Sequence, residues 1–412
     1  MFLPSSRIVK EPAGTSRRKY PSRSLIVCAS HEKPRTTTVI PGKRTGFGAF
    51  ALFVPCPYVY NDLFWGPSYL FRELLIPHLR ETYADTLAAV TAEGGADLLV
   101  SHQVPLTAPL QRRTGIKWIS AVLFPIAFAS AYVPPTPPQL PALRVVAATH
   151  PLVARTLLGL GKWTTRSWVE PIQRLRKELG LARSQNPIFE GQHSPTLVLA
   201  MFSQVLAQLQ PDFPSNTFVT GFPFYDRKDD REPPSELLHF LDDGEPPILF
   251  TLGSTLVWIT KDFYGVSIEA AQKLGERALL LIGDKRNLPQ TKLPKGIAAF
   301  DYAPHSLVMP RASVIVHQGG IGTTGQALRA GRPMLIVPFG QDQPDNARRC
   351  ERLGVARTLR YDHFATPRVV SELSQLLNDR TYLEQAKKIG KEVEEESGTK
   401  KACDAIEQVL HR

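Results

Sequence analysis

Three glycines in four positions, Gly319, Gly320 and Gly322, stand between His317 and a pair of hydroxyls, Thr323 and Thr324. Glycine lets a backbone turn sharply and brings its N–H groups close to a ligand. Upstream, residues 312–316 are small and β-branched, the pattern of a short buried strand. Downstream, residues 323–330 suit a helix, and Gly331 stands where a C-cap glycine belongs. A strand running through a glycine turn into a helix N-terminus offers unpaired N–H groups and a partial positive charge. The ligand this suits is an anion, a phosphate or diphosphate. His317, at the mouth of the turn, adds an imidazole N–H that could meet a phosphate oxygen. Ser254 follows a strand expected over 247–252 and could close on the same group from the opposite loop, or simply cap a helix.

A second unit repeats the pattern. A strand over 333–338 leads into a loop at 339–343 and a helix over 345–353, stopped by Gly354. The loop carries Asp342 and Gln343 at the carboxyl end of a strand, where open α/β sheets place ligand contacts. A carboxylate and an amide can read neighbouring sugar hydroxyls, or they can cap the loop and helix, for which Asp345 is better placed. Fifteen residues before His317 begins Tyr302-Ala303-Pro304-His305, with an aromatic ring on which a flat base could stack.

Taken together, His-x-Gly-Gly-x-Gly-Thr, Gly-x-Pro, Val-Pro and Asp-Gln-x-x-Asn-Ala resemble the donor-binding signature of the UDP-glycosyltransferase-like family, enzymes of the GT-B fold, among them bacterial sterol and natural-product glucosyltransferases. The resemblance implies diphosphate contacts from Ser254, His317, Gly319, Gly320, Gly322, Thr323 and Thr324. It implies nucleoside contacts from Tyr302, Ala303 and His305, and sugar contacts from Asp342 and Gln343. His305 replaces a glutamine common in the family, and Gly325 replaces a ribose-binding glutamate, so UDP- and dTDP-sugars both stay open. No D-x-D motif occurs. That agrees with metal-independent relatives that need no cofactor beyond the nucleotide sugar and hold the leaving diphosphate by helix dipole, N–H groups and His317.

The elements around these motifs alternate strand and helix, which indicates parallel sheets covered on both faces. The expected fold is α/β, GT-B, with two Rossmann-like domains facing a cleft and the N-terminal one incomplete. Residues 1–65 are read as an atypical, poorly ordered segment, 66–225 as the acceptor-side domain, 226–234 as the linker and 235–412 as the donor domain with its C-terminal helices. A helical pattern runs over 70–93, in which Pro77 is expected to make a kink or mark the true helix start, a strand over 97–101 ends at His102, and 382–410 reads as helix. The net charge of +11 is misleading, because residues 1–45 carry +8 of it and the body only +3. Nucleic acid is therefore not an expected partner. The four cysteines are far apart without C-x-x-C, which fits a reducing, cytoplasmic setting and no zinc. No run is long enough to span a bilayer comfortably, and peripheral membrane contact is left open.

The family's general base, a histidine in a glycine loop after the first strand, has no counterpart in 1–65; His31 lacks the loop. His102 lies where relatives place that base's partner, and reads as a surrogate base or, by preference, a strand-end histidine. The catalytic residue is thus unassigned. The leading expectation is inverting transfer of a hexose to a hydroxyl of a small, largely apolar acceptor, bound by Trp65, Phe124, Phe128 and Tyr132. The alternatives are an inactive nucleotide-sugar-binding remnant and a GT-B epimerase of the nucleotide sugar.

Overall fold

The computed structural model of the chain describes residues 24–28, 35–36, 70–92, 95–102, 107–135, 146–226, 233–253, 262–287 and 292–411. Two six-stranded sheets form its frame. The first contains β1 (Ser24–Cys28), β2 (Arg35–Thr36), β3 (Ala96–Ser101), β4 (Lys117–Val122), β5 (Leu197–Ala200) and β6 (Thr217–Val219), in the order β2-β1-β3-β4-β5-β6. The second contains β7 (Ile248–Thr251), β8 (Ala278–Leu281), β9 (Ile297–Phe300), β10 (Ile315–His317), β11 (Met334–Ile336) and β12 (Ala356–Thr358), in the order β12-β11-β10-β7-β8-β9. All pairs are parallel except β1 with β2. Every residue of β7 and β8 is buried, as their unbroken apolar runs require in a sheet covered on both faces.

The helices used below are α1 (Leu79–Thr91), α2 (Thr107–Thr114), α3 (Pro151–Thr164), α4 (Glu170–Glu178), α5 (Ser235–Asp242), α6 (Phe263–Leu274), α7 (His305–Val308), α8 (Ile321–Arg329), α9 (Gln343–Arg352), α10 (Thr366–Asn378), α11 (Arg380–Glu394) and α12 (Gly398–Leu410). On one face of the second sheet, Phe263, Tyr264 and Ile268 of α6 meet Val369, Leu373 and Leu376 of α10. The opposite face shares a core with the first half, through Phe128, Phe202, Leu206 and Phe222.

Two expectations change, and a third, the break at Pro77, is met. The apolar run at 24–28 was expected to lie outside the fold, but it pairs in parallel with β3, Val27 beside Val100. A five-residue strand has no helical or alternating signature, so its partner alone gives it a place. The helical pattern at 70–93 is broken at Pro77 into a π-helical turn, Leu70–Leu75, and α1. The long C-terminal helix is two. α11 stays with the second sheet, while Ala402 and Val409 of α12 pack against Leu98, Val100, Ile119 and Leu199 of the first sheet. The chain therefore crosses back to the first sheet at its last helix. After the break at 395–397, α12 starts with Gly398, where any side chain would collide with the backbone of Gly221 and Phe222.

Candidate functional site

The second sheet reverses its strand order between β7 and β10. At such a switch point the crevice outside the carboxyl ends of the strands takes ligand. Thr251 of β7 is in register with His317 of β10. Gly253 and Gly319 therefore each lie two residues past a matched pair, and both have positive φ, +64° and +86°. A side chain on Gly253 would run into Gln318 Nε2 and lie 3.3 Å from Thr323 Oγ1. One on Gly319 would lie 2.8 Å from Ile336 Cγ2 and 3.1 Å from the Gln343 carbonyl oxygen. Only glycine lets these backbones approach so closely.

Beyond the turn, Gly320 is extended and α8 begins at Ile321, two residues earlier than the sequence pattern suggests. The first-turn N–H groups of Gly322 and Thr323 have no carbonyl four residues back within the helix, so they are donors for an anion. His317 is placed differently from expectation. It is fully buried, its Nδ1 accepts the Gly319 N–H at 3.1 Å, and Nε2 faces Met334 Sδ at 3.4 Å. Burial, with the neighbouring His305, pushes its imidazole down to about 3. A neutral ring taking an N–H from inside the turn braces the turn; it presents no N–H at its mouth. Thr324 is likewise fully buried, so its hydroxyl faces protein and has no partner. Thr323 and the unanticipated Gln318, whose Oε1 is buried without a partner, border the crevice instead. Ser254 lies outside the described residues.

Asp342 and Gln343 lean on this turn. Asp342 Oδ2 accepts the Ile321 N–H at 3.2 Å and Asn346 Nδ2 at 2.7 Å, and Asn346 also donates to the Gly319 carbonyl at 2.9 Å. Asp342 thus caps α8 from the next loop, not its own helix. Burial outweighs these bonds and pushes its carboxyl up to about 6. Gln343 Oε1 accepts the N–H groups of Phe339 and Gly340 and folds the loop. Between them Gln341, a non-glycine residue, sits at φ +59°, a strained conformation of the kind that collects at ligand loops. Asp345 is not a cap either; buried, it pairs with Arg349 at 2.6 Å, and Arg349 reaches the Leu206 carbonyl of the first half at 3.4 Å.

Tyr302 is 66% exposed on this edge, while Ala303 is buried and His305 opens α7. Desolvation holds the His305 imidazole down to about 4. Since the charge of His305 also depresses His317, the nucleoside run and the phosphate turn are electrostatic neighbours. The structure explains Gly325: a side chain there would lie 2.9 Å from the Phe222 ring, so an aromatic from the connecting segment fills the place of a carboxylate. Close by, Arg329 clasps Asp226 at 2.7 Å through two bonds and lies over Phe224. A cavity of about 410 Å³ opens there against Phe222, His305, Arg329 and Lys400, beside the glycine turn and not onto it.

Comparison with known proteins supplies the family. Residues 268–407 match the model of the erythromycin biosynthesis protein CIII-like C-terminal domain. The chain is 30% identical over 364 residues to O-mycaminosyltylonolide 6-deoxyallosyltransferase of Streptomyces fradiae, covering 86% of this chain and 83% of that one. The chain belongs to the family 1 type glycosyltransferases. It is also 30% identical over 248 residues to a sterol 3-beta-glucosyltransferase of Leptosphaeria maculans, of whose length it spans 17%. Among solved structures, the glycotransferase of kitacinnamycin superposes with a TM-score of 0.61 at 20% identity, covering 84% of each chain. Spinosyn rhamnosyltransferase SpnG, complexed with thymidine diphosphate, does so with a TM-score of 0.59 at 16% identity, covering 86% of this chain and 85% of that one. These establish the GT-B fold.

In the first half of the glycosyltransferase, the residues expected to bind the acceptor lie in different settings. Phe128 is a core residue, stacked on Phe213 at 4.0 Å and on His193 at 5.1 Å. Tyr132 is exposed under Arg155, and Trp65 lies outside the described residues. Among the described residues no helix is long and apolar enough to cross a membrane, and no three His, Cys, Asp or Glu side chains gather to hold a metal.

Proposed function

We propose that this glycosyltransferase moves a hexose from a dTDP- or UDP-sugar to a hydroxyl of a small, largely apolar acceptor, with inversion at the anomeric carbon and no metal. The observation that carries the reading is the pair of left-handed glycine turns, Gly253 and Gly319, side by side at the switch point before the N-terminus of α8. The diphosphate sits in that crevice, on first-turn N–H groups and Thr323. There the helix dipole stabilises the negative charge that grows as the diphosphate leaves. The base stacks on exposed Tyr302, and the hexose faces Asp342 and Gln343 in the loop packed against Gly319. The kinship with a macrolide deoxysugar transferase and with sterol glucosyltransferases supports an acceptor with a broad apolar face.

The experiment is to titrate the protein with dTDP and UDP by calorimetry, then to incubate it with dTDP- and UDP-hexoses and a panel of sterol, macrolide and phenolic acceptors without added metal. Binding of one diphosphate and a product of inverted anomeric configuration by NMR are expected. Retained configuration, or activity abolished by a chelator and restored by magnesium, would remove that part of the reading. Absence of diphosphate binding would remove all of it.

A further inference from the structure

α3 is turned the wrong way for a helix on a water-facing surface. His150 caps it, its Nδ1 accepting the Leu152 N–H at 3.2 Å, and Pro151 opens its first turn. Its far end is pinned. Asn186 Nδ2 donates to the Lys162 carbonyl at 3.0 Å and to Thr165 Oγ1 at 2.9 Å, and Lys162 pairs with Glu190 at 2.5 Å. In that seat Ala154 is the residue the helix buries. Leu152, Leu160 and Trp163 point outward, 62%, 56% and 59% exposed. At about 100° per residue they fall within an arc of about 80°, so they make one stripe. Scattered apolar residues on a surface are ordinary, but a stripe held outward by a cap and pins marks a face that something covers.

The charge around the stripe says what covers it. Residues 98–169 contain seven Lys and Arg and no Asp or Glu. Two of the seven stand beside the stripe. The Arg166 guanidinium lies 5.0 Å from the centre of the Trp163 ring, and Arg155 lies 6.0 Å over the ring of exposed Tyr132. A second copy meeting this face across a two-fold axis would set these arginines against their own counterparts. We propose that α3 is a docking face for the surface of an anionic phospholipid bilayer. The leucines enter the acyl boundary, the indole and phenol rings sit at headgroup level, and the guanidiniums meet phosphate. At 14 residues α3 is too short to span a bilayer, so it lies along one. The acceptor argued for above, with its broad apolar face, would partition into the same surface. That consequence rests on the transferase reading, whereas bilayer binding does not.

The test is co-sedimentation of the full chain with phosphatidylcholine vesicles, with and without about one-third phosphatidylglycerol. Binding to the anionic vesicles that weakens with added salt is expected, with little on phosphatidylcholine alone. Leu152→Gln, Leu160→Gln and Trp163→Gln together should lower the partition coefficient by about tenfold or more. The thermal transition and the affinity for dTDP or UDP should stay at the wild-type values, because all three side chains are exposed and the donor crevice lies on the other sheet. Arg155→Gln with Arg166→Gln should weaken binding to the anionic vesicles and flatten its salt dependence. Absence of binding to anionic vesicles would overturn the proposal. So would binding unchanged in the triple variant, which would assign the anchor to the basic residues 1–45. A wild type that self-associates through the stripe and ignores vesicles would make the face a protein interface and overturn it too. A protein that binds vesicles but neither diphosphate nor acceptor would sink the transferase reading and leave the bilayer face standing.

Discussion

The glycine turn after β10 and the histidine pair at the end of the first sheet occupy corresponding edges, yet they are made in opposite ways. The turn is contiguous: eight residues, His317–Thr324, set the backbone, and most of the donors it offers are main-chain N–H groups. The pair is His102, which follows β3 and reaches the Ala121 carbonyl of β4, and His193 from the segment before β5, and its groups are side chains. A backbone site is exposed to anything that adds a Cβ. A side-chain site is exposed to loss of a single group. Substitutions of these two kinds should therefore hurt different measurements.

The largest effect is expected at Gly319. Alanine there must hold φ +86° and press against Ile336 Cγ2 and the Gln343 carbonyl. Left-handed strain costs about 1–2 kcal/mol, and overpacking adds about 1–3 kcal/mol. Chemical denaturation should show the sum, and diphosphate affinity should drop with it, because the turn and the sugar loop move apart. A Gly319→Ala protein with wild-type stability and affinity would mean that the close approach does not matter.

That turn was legible in the sequence because glycines, strand and helix start follow one another in a fixed spacing. The spacing could not tell which side chains face out. His317 and Thr324 are in the motif, but strand pairing buries one and helix packing the other. Gln318, Asn346 and Phe222 act through contacts that sequence separation hides, Phe222 filling space over Gly325 from more than a hundred residues away. β1 and the return of α12 to the first sheet were illegible for the same reason: a five-residue apolar run and an amphipathic helix do not name their partners.

A smaller effect, of opposite sign, is expected at Asp342. Its folded carboxyl is raised to about 6 from 3.8, chiefly by burial. Below the unfolded value both states are protonated and nothing is lost. As pH rises from 3.8 to about 6 the unfolded chain ionises freely and the folded one resists, so stability falls across that window and levels off above it. At 1.36 kcal/mol per unit this amounts to about 3 kcal/mol. Asp342→Asn, which can still accept from Ile321 and Asn346, should be more stable than the wild type at pH 8 and equal to it at pH 4. Use of the sugar donor should weaken while free dTDP or UDP binding is spared. A stability difference that does not change between the two pH values would show that the carboxylate is not desolvated as described.

The smallest effect is expected at Gly115, and it decides how the first should be read. Gly115 follows α2 at φ +72°, and its N–H bonds the Gln111 carbonyl at 2.8 Å, an ordinary left-handed helix end. Unlike Gly319, it has nothing within 4 Å of where a Cβ would stand. Gly115→Ala therefore carries conformational strain alone, about 1–2 kcal/mol, and should leave both diphosphate affinity and transfer rate unchanged. Subtracting its cost from that of Gly319→Ala isolates the part due to close approach of the donor turn to β11 and the sugar loop. If the two alanines cost the same, the turn is held by backbone conformation only, and Asp342 and Asn346 rather than van der Waals contact must keep it in register with the sugar loop. If Gly319→Ala costs more and also weakens the diphosphate, the donor site depends on the absence of side chains, as the first sheet's histidines depend on their presence.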